Sequence, residues 1–271
     1  MQSCGVRIPD GGMMDITEMA QSLRRARADR IPIGPLSDTY GLTDPRVAYD
    51  IQAHNTQYEE QMGRRVVGCK IGLTSPAVQK QLGVDEPDFG VLWGDQGYRD
   101  GDQISAGQYI QPRVEAEIAF VMKHGIEDPN TDLESLAAGI DYAVAAIEIV
   151  DSAVADWRIA LVDTIADNAS AGGFVLGEDP QPLAAIDLID ATMAMSKNGS
   201  QVSEGIAHAC MGNPLNATLW LARTMIDVGR PLQVGDIVLS GALGPMVDVA
   251  AGDKFEVQIQ GFKSLSVEFV E

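Results

Sequence analysis

The sequence predicts an α+β protein of 271 residues, with a small helical region over 1–63 and a β-rich domain over 64–271. Three observations carry this. Apolar residues in the first part recur every three or four positions, the spacing of one helix face. From Arg65 onward they fall instead into short β-branched runs. Gly-Asp pairs in "RDGDQI", "QVGDIV" and "AAGDKF" each precede such a run, as a turn does before a strand.

The first helix is predicted from Asp15 to about Arg27, with Asp15 and Glu18 as a capping-box-like pair and Ile16, Met19, Ala20 and Leu23 on one face. The Pro- and Gly-rich stretch "RIPIGPLSDTYGLTDP" is expected to be a connector. Asp44 then caps a second helix, Pro45 suits its first turn, and Val47, Ile51, His54, Tyr58 and Met62 form one stripe before Gly63 ends it. "PRVEAEIAFVM" alternates as a strand, Val114, Ala116, Ile118 and Phe120 on one face and Glu115, Glu117, Ala119 and Val121 on the other. "DLESLAAGI" is predicted as a short helix, and "YAVAAIEIVD" as a strand because of its Val and Ile content. A hairpin is expected at Asn198-Gly199, and a last helix after the Asn213 cap and Pro214, closed by Gly229. No fixed-period repeat indicates a solenoid or propeller.

A hydrophobic content of 45% can supply a core for a chain of this length. The net charge of -20, from 39 acidic against 19 basic residues, excludes the basic footprint of a nucleic-acid binder. Cys4, Cys69 and Cys210 are odd in number and have no CxxC spacing, which argues against a disulfide framework or a thiolate zinc site. No apolar run approaches the ~18 residues of a membrane span, and no signal pattern opens the chain. A cytoplasmic location is expected.

Both faces of the predicted "PRVEAEIAFVM" strand are mostly apolar, so Glu115 and Glu117 are expected to be buried, as is Glu148 inside its apolar run. An unpaired buried carboxylate costs several kcal/mol, and three together repel one another unless protonated or neutralised. Two acids at i,i+2 on one strand and a third on another make an oxygen-rich corner suited to Mg²⁺ or Mn²⁺. The alternatives are an exposed strand edge for Glu115 or Glu117, or pairing of Glu148 with Arg113 or Lys70. "GCKIGLTS" places Lys70 in an otherwise apolar or small stretch and lacks the residue order of a phosphate loop, and GxGxxG follows no predicted strand. The histidines, His54, His124 and His208, form no motif with cysteine or serine.

Taken together, "GCKIGLTSPAVQKQLGVDEPDFGVL", "PRVEAEIAFVM", "AAIEIVDS", "DWRIALVDTIADNASAGGFVLG" and "GDIVLSGALGP" resemble the 2-keto-4-pentenoate hydratase family of the fumarylacetoacetase-like superfamily, from roughly Asp15 to the C-terminus. The resemblance implies a rolled mixed β-sheet domain of the fumarylacetoacetase C-terminal type around a metal-containing pocket. It also implies a cytoplasmic homo-oligomer, a pentamer or decamer, with an aldolase, dehydrogenase or decarboxylase of the pathway as a candidate partner. The implied activity is addition of water to 2-hydroxypenta-2,4-dienoate, giving 4-hydroxy-2-oxopentanoate in meta-cleavage degradation of aromatic compounds. The related 4-oxalocrotonate decarboxylase is the alternative.

By the same resemblance, Glu115, Glu117 and Glu148 match the metal ligands, Lys70 the active-site lysine, Asp88 its acidic partner and Ser170 a pocket hydroxyl. A Mg²⁺ or Mn²⁺ ion is then expected to stabilise an enolate of the substrate, with Lys70 and Asp88 moving protons. Cys69 stands where relatives commonly carry an aromatic or basic residue, and Ala153 where they carry arginine, departures that bear on substrate tuning. Hydrolysis of an acylpyruvate would lean on a His/Glu dyad that no motif here supplies, and a catalytically silent subunit fits poorly with retention of all five charged site residues.

Overall fold

The computed structural model describes residues 5–7, 13–75, 79 and 86–271. Cys4 and two parts of the lysine-containing motif, 76–78 and 80–85, lie outside the described residues.

A short antiparallel pair, β1 (Gly5–Arg7) and β2 (Met13–Asp15), leads into helix α1 (Ile16–Asp29). The Asp15 carboxylate accepts from the Thr17 and Glu18 amides and so satisfies donors that the first turn leaves open. Ile16, Met19, Ala20 and Leu23 are buried, as the spacing predicts, and Ala26 is buried with them. The connector contains one helix of its own, α2 (Leu36–Tyr40), anchored by buried Leu36.

Helix α3 (Pro45–Gln61) starts at the Asp44 cap, but its buried face departs from the predicted stripe. Val47 and Ile51 are buried beside Ala48, Gln52 and Thr56, whereas Tyr58 and Met62 are exposed and His54 is half-buried. The reason is polar: the Gln52 amide donates to the Phe89 and Ile165 carbonyls, at 2.8 and 3.0 Å. A buried side chain with satisfied hydrogen bonds can occupy a core face, and apolar spacing alone overlooks it.

Two mixed sheets form the rest. The larger has eight strands, running β4 (Asp88–Trp93), β3 (Val66–Gly72), β12 (Ile237–Leu239), β7 (Arg113–Met122), β8 (Ile140–Val150), β9 (Ala171–Leu176) and β5 (Gly97–Arg99), with β13 (Val247–Asp248) also on β7. The smaller runs β11 (Ser200–Ile206), β10 (Thr192–Lys197), β14 (Lys254–Ile259), β15 (Leu265–Val270) and β6 (Gln103–Ser105). Pairing is antiparallel except for β3–β12, β5–β9 and β6–β15. The three Gly-Asp turns precede β6, β12 and β14, and Asn198 and Gly199, both left-handed, turn the β10–β11 hairpin.

Val114, Ala116, Ile118 and Phe120 join the main core with Phe255, Val257, Val267 and Phe269 of the smaller sheet. Each such large side chain contributes about 1.5–3 kcal/mol by leaving water. Helices α4 (Leu133–Gly139) and α6 (Pro214–Asp227) flank this core, α4 capped by Asp132 and α6 by Asn213. The core of the N-terminal helices is completed by Val162, Ile165 and Ala166 of α5 (Leu161–Ala166). Among the described residues, no helix is long and apolar enough to cross a membrane.

Candidate active site

The alternation of β7 that drives four apolar side chains into the core turns Glu115 and Glu117 to its other face. Glu115 lies directly opposite Glu148 of β8, and Glu117 opposite Ala146. Glu117 and Glu148 have no exposed surface, and Glu115 lines a cavity of about 120 Å³. One oxygen from each of the three lies within 4.8 Å of the others.

Like charges placed across a strand pair repel, and burial removes the water that would screen them. Burial, then mutual repulsion, accordingly pushes the carboxyls of Glu115 and Glu117 above the ordinary range. Glu148 is also raised by burial, with Lys70 opposing. Only part of this oxygen set is answered by protein groups. Glu117 Oε2 accepts from the Gly241 amide at 2.8 Å, while Glu117 Oε1 and Glu148 Oε2 have no hydrogen-bond partner among the described residues and Glu148 Oε1 has only the Lys70 ammonium near it. Gly241 can present that amide because it is left-handed, at φ 113°, and because a Cβ there would fall 2.4 Å from Thr74 Oγ1. A buried, all-oxygen donor set with unanswered lone pairs fits a hard divalent cation.

Lys70 reaches the same place from β3. Its Nζ lies 3.1 Å from Glu148 Oε1 and donates to the Ala169 carbonyl at 3.0 Å. Of the two pairings open to Glu148, the structure makes this one, and Arg113 binds Asp248 instead. Burial works against the charged amine, yet Glu148, Glu115, Asp88 and Glu117 together raise its pKa.

Asp88 begins β4, opposite Gly72 of β3. A Cβ on Gly72 would sit 2.1 Å from Asp88 Oδ1 and 3.4 Å from Lys70 Nζ, so this glycine leaves the space that the two side chains use. Asp88 is buried, which raises its pKa against the pull of Lys70, and its Oδ1 is unpartnered. Its Oδ2 accepts a long bond, 3.5 Å, from the Thr164 hydroxyl, which lies 3.4 Å from Ser170 Oγ.

The structure thus brings together all six residues singled out from the sequence. Sequence reasoning missed Thr164, the Ala169 carbonyl, the Gly241 amide and Asn168. All four lie inside quoted motifs, but two act through backbone atoms, which residue types do not reveal. Asn168, Ala169 and Ser170 are three consecutive left-handed non-glycine residues, each costing on the order of 1 kcal/mol. The Asn168 amide holds this turn on β4, accepting from the Val91 N–H at 2.8 Å and donating to its carbonyl at 3.0 Å.

Behind the turn, Arg27 of α1 donates to Asp167 at 2.9 Å and to the Asp151 carbonyl at 2.8 Å, tying the helical region to the site. Cys69 and Ala153, the two departures noted in the sequence, are buried outside the described cavity lining. Burial pushes the Cys69 and Cys210 thiols up to about 12, which leaves both protonated. No histidine is among the described lining residues.

Comparison with known proteins places this arrangement. The chain is 50% identical over 252 residues to 2-keto-4-pentenoate hydratase of Paraburkholderia xenovorans, covering 93% of this chain and 94% of that protein. It is 48% identical over 256 residues to the TodF product hydratase of Pseudomonas putida, covering 94% and 96%. Among solved structures, 4-oxalocrotonate decarboxylase from Pseudomonas putida G7, complexed with magnesium and adipate, superposes with a TM-score of 0.90 at 31% identity, covering 94% and 97%. The family model for the fumarylacetoacetate (FAA) hydrolase C-terminal region matches residues 56–270. The fold, the buried carboxylates and this match agree: the chain belongs to the fumarylacetoacetate hydrolase C-terminal family.

Proposed function

We infer that this chain is a hydro-lyase of the 2-keto-4-pentenoate hydratase type, adding water to 2-hydroxypenta-2,4-dienoate to give 4-hydroxy-2-oxopentanoate in meta-cleavage aromatic degradation. The observation that carries this is the 50% identity to a hydratase over 93% of the chain, against 31% to the decarboxylase.

Glu115, Glu117 and Glu148 would hold the divalent ion, Mg²⁺ or Mn²⁺, their mutual distance and unanswered oxygens supporting that role. When bound, such an ion supplies Lewis acidity to the oxygens of a 2-oxo acid. The protein's own groups handle the protons. Ketonisation of the dienol delivers a proton to C5 and leaves a 2-oxo-3-enoate whose C4 is electron-poor. Water adds at C4, and a proton returns at C3.

Asp88, with a raised pKa and a free Oδ1, is placed to take a proton from water. Lys70, whose charged form the neighbouring carboxyls favour against burial, serves as proton donor or as anchor for the substrate carboxylate. The Thr164 hydroxyl donates to Asp88 and helps to orient it, and Ser170 offers a second pocket hydroxyl beside Thr164. We further propose a cytoplasmic homo-oligomer built from a helical region over 1–63 and a catalytic domain over 64–271.

Loss of dienol absorbance, followed with and without Mg²⁺ or Mn²⁺, tests the reading. Turnover that requires the metal supports it. Release of CO₂ from 2-oxohex-3-enedioate, with no consumption of 2-hydroxypenta-2,4-dienoate, would replace it with the decarboxylase reading.

A further inference from the structure

Arg27 lies in the last turn of α1, next to buried Ala26 and one turn on from buried Leu23, so the packed face of that helix carries it toward the larger sheet. It lines a cavity of about 420 Å³ with Tyr98, Tyr109, Asp151 and Gly172, and is not among the described residues lining the cavity of Lys70 and Asp88. Its side chain is 31% exposed, whereas the two acids it meets, Asp151 and Asp167, are 4% and 2% exposed, so solvent reaches the guanidinium but not its partners.

Those two acids sit where the site is anchored. Asp151 directly follows β8, which carries Glu148, and Asp167 directly precedes the Asn168–Ser170 turn. Arg27 Nε donates to Asp167 Oδ1 at 2.9 Å, and its Nη2 donates to the Asp151 carbonyl at 2.8 Å. Around this fork the two segments are tied to each other: the Asp151 N–H donates to the Ser170 carbonyl at 2.8 Å, and the Ala153 N–H to Asp167 Oδ2 at 2.7 Å. Asp151 Oδ1 also accepts from the Gln111 N–H at 2.7 Å, on the approach to β7 and Glu115. Consecutive left-handed residues such as Asn168, Ala169 and Ser170 persist only where their surroundings hold them. A planar fork that grips both segments at once is such a hold.

We infer that Arg27 is a positioning residue: without touching the substrate, it clamps the end of β8 to the Asn168–Ser170 turn and so keeps the Ala169 carbonyl where it aims Lys70. The reaction so served is that of the hydratase reading, on which this role rests.

The test compares Arg27→Lys and Arg27→Ala with the wild type, all loaded with magnesium. Lysine brings the charge without the fork, so kcat per magnesium-bound molecule should fall about ten-fold, with KM and magnesium affinity kept within about two-fold. Arg27→Ala should lose about 10²-fold in kcat. Guanidinium chloride at tens of millimolar, far below denaturing concentrations, should restore about ten-fold of that loss by entering the opened cavity. Urea, neutral and of similar shape, should restore none of it. If Arg27→Ala does not fold, Arg27→Lys decides alone. Normal kcat in Arg27→Lys, a loss matched by lost magnesium affinity, or an Arg27→Ala loss that guanidinium leaves unchanged would overturn the clamp. A wild type that consumes no dienoate overturns the hydratase reading instead, and amide exchange then decides the clamp. Faster exchange of the Asp151 and Ala153 N–H groups in Arg27→Lys, with β7 unchanged, upholds it; exchange raised everywhere or nowhere overturns it.

Discussion

Lys70 and Glu148 form an ion pair with 3.1 Å between Nζ and Oε1, both side chains buried, at the point where β3 and β8 face one cavity. Buried pairs of this kind seldom add net stability, because desolvation consumes the attraction. Its value here is positional: the amine is held at the edge of the carboxylate cluster and aimed by the Ala169 carbonyl.

Replacing Lys70 with alanine is expected to lower turnover by roughly 10²–10⁴, the range for loss of a proton-transfer group. Metal binding, read by calorimetry, should persist. If the variant unfolds instead, the lysine is a structural counter-ion and the proton-transfer role fails.

Glu148→Gln should weaken magnesium affinity, since it removes the carboxylate shared by the cluster and Lys70. Equilibrium dialysis would show the loss directly. An unchanged affinity would mean that the ion sits elsewhere.

Gly72→Ala isolates Asp88 from the metal ligands. The added Cβ would overlap Asp88 Oδ1, so the carboxylate must move. We expect kcat to drop by about 10², with magnesium affinity retained. A variant of normal kcat would show that Asp88 is not held where the reaction needs it.

Stability should depend on pH in the metal-free protein. Burial and repulsion hold the Glu115, Glu117 and Glu148 carboxyls above their ordinary range, and burial pushes Asp167 up to about 6 against the pull of Arg27. The folded state then keeps protons that the unfolded chain has already released. Stability should therefore fall as pH rises from the ordinary carboxylate range through these raised values. Urea denaturation at a series of pH values would measure the slope. Magnesium should flatten it by favouring the ionised triad, adding about 2.7 kcal/mol when present at a hundred times its dissociation constant. A slope of the opposite sign, or one unaffected by metal, would contradict this account.

Much of the site was legible because it obeys strand geometry. In β7 the two-residue period sends Val114 and Ile118 into the main core and Glu115 and Glu117 to the other face, so their types alone mark them as costly. Glu148 stood out for the same reason. The predicted stripe on α3 was less reliable, because Gln52 is buried through two backbone carbonyls distant in sequence.

By itself the sequence determined the fold class, the main helices and strands, their caps and turns, and four charged residues, Lys70, Glu115, Glu117 and Glu148, with no ordinary reason to be buried, while Asp88 and Ser170 came from the resemblance to the hydratase family. Tertiary structure alone decided that Glu148 pairs with Lys70 and not Arg113, that Gly72 makes room for Asp88, and that a left-handed turn delivers the Ala169 carbonyl. The division has a physical cause. Periodicity, capping and the cost of burying charge act through residue type along the chain, whereas ion-pair partners, backbone donors and steric room depend on which distant segments the packed core brings face to face.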